Sequence, residues 1–466
     1  MALKGIKYLI LVLIIALSAS CTKRDAPLPD NQVQFEVNEQ GLPETTNDIT
    51  VKLRLSRPAD RDIPVTLSLT PTQGVEYITD YSITPGVAGS NMIVTILSGS
   101  SETSFTLTKS AGALFYSDDQ IIFKIISSAS PVTIGTQSQL TLKFSEIVSA
   151  GASITINGGG STYGNKVFID LSANYQTAIQ RSKWDLGFYA ASAEWRVTLN
   201  SSSAMMAKQI DKNDLSLVTA ADTIGFSNEV VFSQTNPTTN SLAYIDYPDG
   251  NMERTAIAAV SATPSENKVY IINRGNGIGT PSPLRGWKKI RITRSTNGGY
   301  LLEHADIAAT TFASLEIPKD EKYFFKYYSF ETGLINVEPE AKKWDIAWTY
   351  FSNVTNFGSG EVPYNFQDVI LQNRNVQIAK VLTATKSFMD FNENDIAAQS
   401  FVTSQTGIGS DWRSGGGPSS TPSVRSDRYY IIKDADNNIY KLRFTSLTQA
   451  GERGYPSFEY VLLKHG

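Results

Sequence analysis

Cysteine and histidine are almost absent from this chain of 466 residues. It has a single cysteine, Cys21, and two histidines, His304 and His465. With one cysteine no disulfide can form within the chain, so its stability must come from packed cores. With two histidines, a Ser-His-Asp triad or a histidine-rich zinc site is nearly excluded.

Long apolar runs and basic stripes are missing as well. After residue 20 no segment is apolar enough to span a bilayer. The formal net charge is −4 and positive charge is not clustered, so binding of nucleic acid has no electrostatic support. Carboxylates are plentiful, but no pair stands out as the acid and base of a glycosidase. We therefore predict a protein that is not an enzyme.

The first twenty residues have the pattern of an export signal. Two lysines precede a short apolar run, three small residues and then Cys21. The apolar run is shorter than the roughly 20 residues that a membrane-spanning helix needs. The segment resembles the lipobox of bacterial lipoproteins, although Ser18 stands where a leucine is usual. The resemblance implies a signal peptide at 1–20 and a lipid on Cys21 that anchors the chain in a membrane. The following residues are polar and include two prolines, so we predict a tether at 21–30.

Residues 31–146 have the strand pattern of an antiparallel β-sandwich. Seven short runs alternate apolar and polar residues, with Gly, Pro, Asn and Asp between them. The runs are 33–37, 49–55, 65–69, 93–97, 104–108, 121–125 and 140–144. Leu-Ser-Arg-Pro at 55–58 and Tyr-Ile-Thr-Asp-Tyr at 77–81 resemble segments of Calx-β domains.

Calx-β domains include members that bind calcium through acidic loops. The resemblance makes Glu39, Asp80, Asp118 and Asp119 candidate calcium ligands. Calcium takes six or more oxygen ligands, and ordinary solvated turn acids are the alternative explanation.

Beyond a linker at 147–162, rich in Gly, Ser and Thr, the sequence repeats itself. Three landmarks recur in the same order: 183–188 as 343–348, 268–272 as 428–432, and 289–293 as 441–445. The first two are 160 residues apart and the third 152, because the first copy has a longer Gly/Pro-rich loop at 275–286. We predict two homologous β modules, at 163–318 and 319–466, in a chain that is all-β.

A Trp-Asp pair marks each copy: Trp184 with Asp185, and Trp344 with Asp345. We expect the tryptophans to anchor the cores and the aspartates to accept hydrogen bonds from backbone N–H groups in a turn. This structural role explains the pairs better than catalysis does.

The repeated region resembles the HmuY family of haem-binding lipoproteins from Bacteroidetes. The matching segments in the second copy are 327–333, 344–348, 429–432 and 440–444. The resemblance implies an all-β fold and haem capture by a protein anchored in the outer membrane, on its periplasmic face or at the cell surface. It also implies delivery of haem to a partner such as a TonB-dependent haem receptor.

Haem iron needs axial donors, and the two-histidine ligation of part of this family has no counterpart here. Other members use methionine. Met205 and Met206 follow the first Trp-Asp strand, and Met252 lies in the next long loop. We predict that Met205 or Met206 pairs with Met252 on haem iron; the alternative is that these methionines fill gaps in a core.

The corresponding loop of the second copy has neither Met nor His, so only Tyr350 or Tyr364 could serve there. The competing hypothesis for the whole chain is a surface lipoprotein that uses the same modules to adhere to a protein or a glycan. Only haem binding predicts a Soret band. A third hypothesis, a hydrolase, would require a pocket in which carboxylates converge.

Overall fold

The computed structural model describes residues 30–42, 46–111, 113, 115, 119–144, 149–232, 238–415 and 421–466. The export signal with Cys21, the tether up to residue 29, and Asp118 lie outside the described residues. Within them, no helix is both long enough and apolar enough to cross a membrane. The described chain is built from strands, which confirms the predicted all-β class.

The strands of the N-terminal region are β1 (Gln32–Phe35), β2 (Glu39–Gly41), β3 (Asp48–Leu55), β4 (Ile63–Pro71), β5 (Tyr81–Thr84), β6 (Asn91–Ile96), β7 (Glu102–Lys109), β8 (Gln120–Ser128), β9 (Thr133–Ile134) and β10 (Gln139–Lys143). They form two five-stranded sheets, in the orders β5-β7-β3-β1-β9 and β2-β10-β8-β4-β6.

One compact unit takes in the described residues up to 38, from 48 to 114 and from 121 to 141. Its strands alternate as predicted: Val65 and Leu67 of β4 are buried, and Thr66 and Ser68 between them are partly exposed. Alternation of this kind gives each sheet one packed face and one wet face.

The following strands are β11 (Gly151–Thr155), β12 (Asn165–Asp170), β13 (Tyr175–Gln180), β14 (Leu186–Tyr189), β15 (Val197–Leu199), β16 (Met206–Ile210), β17 (Val269–Asn273), β18 (Trp287–Arg294), β19 (Tyr300–Ala305) and β20 (Ala313–Ile317). The last eight are β21 (Phe325–Ser329), β22 (Gly333–Ile335), β23 (Ile346–Asn356), β24 (Glu361–Gln372), β25 (Gln377–Leu382), β26 (Arg428–Lys433), β27 (Ile439–Gln449) and β28 (Glu452–Lys464).

Helices are short and lie in the connections. One α-helical turn spans Phe226–Glu229. The 3₁₀ helices are Gly160–Thr162, Ser201–Ser203, Leu215–Leu217, Ala220–Thr223, Thr239–Tyr244, Met252–Arg254, Pro264–Glu266 and Glu393–Ala398.

The repeated region belongs to a second compact unit, which holds residues 142–466. Its four sheets have the orders β11-β28-β27-β26-β25, β13-β12-β23-β24, β15-β14-β21-β22 and β16-β17-β18-β19-β20. Every pairing within these sheets is antiparallel.

The two sequence copies exchange their first hairpins. β12 comes from the first copy but pairs with β23 of the second, with Phe168 opposite Ala347. Conversely, β21 of the second copy pairs with β14 of the first, with Tyr327 opposite Gly187. The predicted boundaries, 163–318 and 319–466, therefore describe a repeat in sequence, whereas these two sheets each draw strands from both copies.

Matched aromatic pairs hold the exchanged hairpins. Phe168 packs edge-on against Trp344 with ring centroids 5.0 Å apart, and Tyr327 packs edge-on against Trp184 at 4.7 Å. All four side chains are buried in one cluster. Such pairs add about 0.5–1.5 kcal/mol each beyond the burial of their area.

Each aspartate of the Trp-Asp pairs binds the exchanged hairpin. Asp345 accepts a hydrogen bond of 2.7 Å from the backbone N–H of Leu171, and Asp185 accepts one of 2.9 Å from that of Phe330. Both aspartates are buried. The repeated motif is thus a docking point for a strand of the other copy.

Candidate functional site

The two buried aspartates have opposite electrostatic surroundings. Asp185 forms ion pairs of 2.9 Å with Arg274 and with Arg285. In the second copy, the position 160 residues after Arg274 is Asp434. Burial, and next the neighbouring Asp170, raises the pKa of Asp345 well above its usual range. The first copy therefore surrounds its buried aspartate with cations, whereas the second surrounds it with acids.

The structure separates the candidate haem ligands. Met205 and Met206 are neighbours in the chain, and their side chains are buried in different core clusters. Met252 begins a short 3₁₀ helix and is also buried, but its side chain borders a cavity. Neither Met205 nor Met206 lines that cavity.

The cavity is the inner part of a cleft to which both sequence copies contribute. Its volume is about 80 Å³, and its walls include Lys166, Trp184, Asp246, Met252, Tyr327 and Arg374. A more open chamber of about 410 Å³ shares Arg374 and Gln405 with it. The outer walls include Asp249, Gln372, Thr403 and Ser404. We call the two chambers together the junction cleft.

Lys166 reaches the inner chamber from the exchanged strand β12. Its Nζ lies 4.9 Å from the ring centroid of Phe168 and 5.8 Å from that of Trp184. Burial lowers the pKa of Lys166 to about 8, against the opposing effect of Glu338. The side chain is therefore still a cation at neutral pH, held over two aromatic faces.

Glu338 is buried beside the cleft wall and holds β21, the strand that carries Tyr327, in place. It accepts a hydrogen bond of 2.7 Å from the backbone N–H of Phe325 and one of 3.0 Å from the Tyr327 hydroxyl. Burial raises the pKa of Glu338 to about 7. The Glu338 carboxyl therefore stabilises β21 and is not available to a ligand in the cleft.

Arg374 stands where the two chambers meet. Its Nη1 and Nη2 donate hydrogen bonds of 3.0 and 3.1 Å to the carbonyl of Gly250. The guanidinium carbon lies 5.4 Å from the ring centroid of Tyr189 and 5.8 Å from that of Phe325. Within the described part of the chain, neither Arg374 nor Lys166 has a carboxylate at ion-pairing distance.

Asp246 is the acid on the inner wall, and its oxygens are used by the backbone. They accept hydrogen bonds of 2.6 Å from the N–H of Leu199 and 2.9 Å from that of Ala256. Burial raises the pKa of Asp246 to about 7. The acid therefore shapes the loop that carries Met252.

Both histidines lie away from the junction cleft. His304 lies on β19, between β18 and β20, and its side chain is buried. Its Nε2 is 2.7 Å from the Tyr328 hydroxyl, and burial lowers the pKa of the ring. His465 is exposed at the C-terminal end.

The tyrosines considered for the second copy occupy two different places. Tyr350 lies under the guanidinium of Arg181, 5.0 Å from the ring centroid. Tyr364 lies on β24 in a row with Phe357 and Phe366, with ring centroids 5.5 and 5.3 Å apart. Phe357 is 66% exposed, so this row presents an aromatic edge to solvent.

The candidate calcium ligands have other partners. Glu39 forms an ion pair of 2.5 Å with Lys143, and Asp80 accepts a hydrogen bond of 2.8 Å from the N–H of Glu76. Asp119 is buried. Over the residues that the structure describes, no group of three or more His, Cys, Asp and Glu side chains is placed to hold a metal ion.

Comparison with known families identifies the repeated region. The model of the family described as HmuY protein matches residues 162–300 and again residues 321–460, which together exceed half of the chain. The chain belongs to the HmuY family. The predicted resemblance is confirmed, and each match covers most of one sequence copy. None of the curated proteins compared with this HmuY-family chain matches it.

Three solved structures are among those similar to this HmuY-family chain. An apo Calx CBD1 domain has 13% identity and a TM-score of 0.22, covering 25% of this chain and 97% of its own. A Bacteroides vulgatus protein named as HmuY-like and haem-binding has 8% identity and a TM-score of 0.15, covering 68% and 94%. A Bacteroides fragilis protein named as a lipoprotein has 11% identity and a TM-score of 0.18, covering 38% and 91%.

Proposed function

We propose that this protein is a non-catalytic lipoprotein, anchored through Cys21 in the outer membrane, that captures haem for uptake. The observation that carries the proposal is the HmuY family match over both copies. The lipobox-like sequence before Cys21 supports the anchor. A TonB-dependent receptor is the partner that this role requires, because a surface protein that captures haem must pass it on.

Met252 is the axial ligand we put forward first, because it is the one of the three candidate methionines that lines the junction cleft. The inner chamber beside it, of about 80 Å³, is too small for haem, so this bond requires the loop that carries Met252 to move when haem binds. Thioether sulfur is an established axial donor to haem iron. Met205 or Met206 remains our proposal for the second ligand. Each lies within a core cluster, so this second bond requires the start of β16 to move when haem binds.

A haemin titration of the purified chain tests the proposal. We expect a saturable, sharpened Soret band that strengthens on reduction, as methionine ligation predicts. Met252→Leu should change this spectrum, whereas Met389→Leu should not, since Met389 is 75% exposed on another loop. A titration no different from that of an unrelated protein would refute haem capture.

A second function, adhesion to a glycan, is favoured by the polar wall of the outer chamber. Its lining residues are mainly amide, hydroxyl and charged side chains. Haem pockets need apolar walls as well, and sugars need convergent hydrogen-bonding groups. A glycan array that gives binding, together with a featureless haemin titration, would favour this function over the first.

A further inference from the structure

We infer that the junction cleft is a carboxylate-recognition site, in which Arg374 and Lys166 bind the acid group of a small ligand. The ligand carboxylate would enter from the outer chamber, pass Arg374 and approach Lys166 at the inner end. For a haem propionate the inference rests on the proposed function; for a free acidic sugar it does not.

The arrangement of charge is the first argument. Two cations from different copies line one cleft, and in the described residues neither forms an ion pair with a carboxylate. The nearby acids have other uses: Asp246 and Glu338 accept hydrogen bonds from the backbone or from Tyr327. The charge of Glu338 acts on both cations, but burial raises the pKa of Glu338 to about 7, so it is only partly ionised at neutral pH. An anionic ligand would add the counter-charge that Glu338 supplies only in part.

The second argument is an unpartnered donor in the same wall. The indole N–H of Trp184 is buried and has no hydrogen-bond acceptor among the described residues, although the side chain is only 4% exposed. Buried polar groups are almost always paired, so an orphan at the edge of a cavity points to an acceptor that arrives with a ligand. Carboxylate oxygens are such acceptors.

The third argument is the geometry available at Arg374. Arginine has five N–H donors in a planar fork, and the structure shows two of them bonded to the Gly250 carbonyl. The aromatic rings of Tyr189 and Phe325 flank the guanidinium and restrict its rotation. An arginine that is fixed in this way is suited to bind a planar carboxylate.

The volumes set the size of the ligand group. The inner chamber of about 80 Å³ admits a carboxylate and little more, while the outer chamber of about 410 Å³ is in the range of pockets for small molecules. Two sources fit: a propionate of haem, and a carboxylate-bearing monosaccharide.

The test compares matched ligands on the full chain purified in mild detergent. The first pair is haemin and haemin dimethyl ester, which differ only in whether the propionates are free. The second pair is galacturonate and galactose, measured by calorimetry. We expect the acid of at least one pair to bind about tenfold or more tightly than its neutral partner, since a charge-assisted hydrogen bond is lost in the latter.

Arg374→Gln and Lys166→Met should each remove that preference, whereas Arg443→Gln and Lys342→Met should keep it. Arg443 and Lys342 form surface ion pairs with Glu459 and Asp436. Thermal melts establish that each variant is folded. If Arg374→Gln is not folded, Lys166→Met carries the test.

The two pairs of ligands distinguish the two sources of the carboxylate, haem and an acidic sugar. A preference for haemin over its ester assigns the site to haem propionates, whereas a preference for galacturonate with no haemin binding keeps the inference and rejects haem capture. Equal binding of acid and neutral ligand in both pairs, or an acid preference that survives both cleft substitutions, would overturn the inference.

Discussion

At the scale of single residues, Asp185 and Asp345 show how one motif can be placed in opposite electrostatic surroundings. Both are buried and both accept a backbone N–H from the exchanged hairpin. Arg274 and Arg285 neutralise Asp185, whereas Asp345 faces other acids. The same substitution at the two positions should therefore have different effects.

We predict that Asp185→Asn lowers the free energy of unfolding by about 3 kcal/mol, because it leaves buried arginines without their counter-charge. Asp345→Asn should change it by less than about 1 kcal/mol, since the amide oxygen can still accept the Leu171 N–H. Urea unfolding at pH 7 measures both. Equal losses for the two variants would mean that the ion pairs do not distinguish the copies.

The sequence predicted some residues of the cleft and missed others. Met252 was singled out because methionine is a rare ligand type that can be recognised in isolation. Lys166 and Arg374 were missed because each is one ordinary cation on a strand or turn, separated from the other by about 200 positions. Only the exchange of hairpins brings them to one cleft, and no local pattern encodes that exchange.

At the scale of elements, strands were predictable and their partners were not. The predicted run 93–97 overlaps β6, Asn91–Ile96, because alternation with period two is a local property. Pairing between β12 and β23 joins residues far apart in the chain, and the alternation of each strand is compatible with several partners.

One residue favours the exchange at the hairpin of the second copy. Val167 on β12 is fully buried opposite Trp348, and the register places Lys326 at the equivalent position of β21, opposite Phe188. If the second copy used its own hairpin, Lys326 would occupy the buried place of Val167. Burying an unpaired lysine costs several kcal/mol, so exchange is favoured.

We therefore predict that residues 319–466 alone will not fold into a stable domain, although they form one complete sequence copy. Residues 149–182 joined by a flexible linker to 341–466 should fold, because this chain contains β11–β13 and the strands they pair with. Dispersion of amide signals in NMR spectra compares the two polypeptides, which have similar lengths. A well-dispersed spectrum from 319–466 alone would contradict the role given to the exchange.

At the scale of the whole molecule, the buried acids make stability depend on pH. Burial raises the pKa of both Glu338 and Asp246 to about 7, so each binds its proton more tightly in the folded chain than in the unfolded one. A raised carboxyl pKa stabilises the fold fully below the unfolded value near 4 and loses that contribution as the pH rises through 7. The pKa of Lys166 is lowered to about 8, so this group affects the pH dependence of stability mainly above pH 7.

We predict that the free energy of unfolding falls between pH 5 and pH 8, by on the order of 2 kcal/mol from Glu338 alone. Glu338→Gln should reduce this slope, because glutamine accepts the Phe325 N–H at every pH. Glu340→Gln, at an exposed position two residues away, should keep the original slope. Since Glu338 lies behind Lys166 and Tyr327, an unchanged slope in Glu338→Gln would show that Glu338 does not titrate between pH 5 and pH 8, and that this acid does not make the charge of the cleft wall respond to pH in the range where a carboxylate ligand would bind.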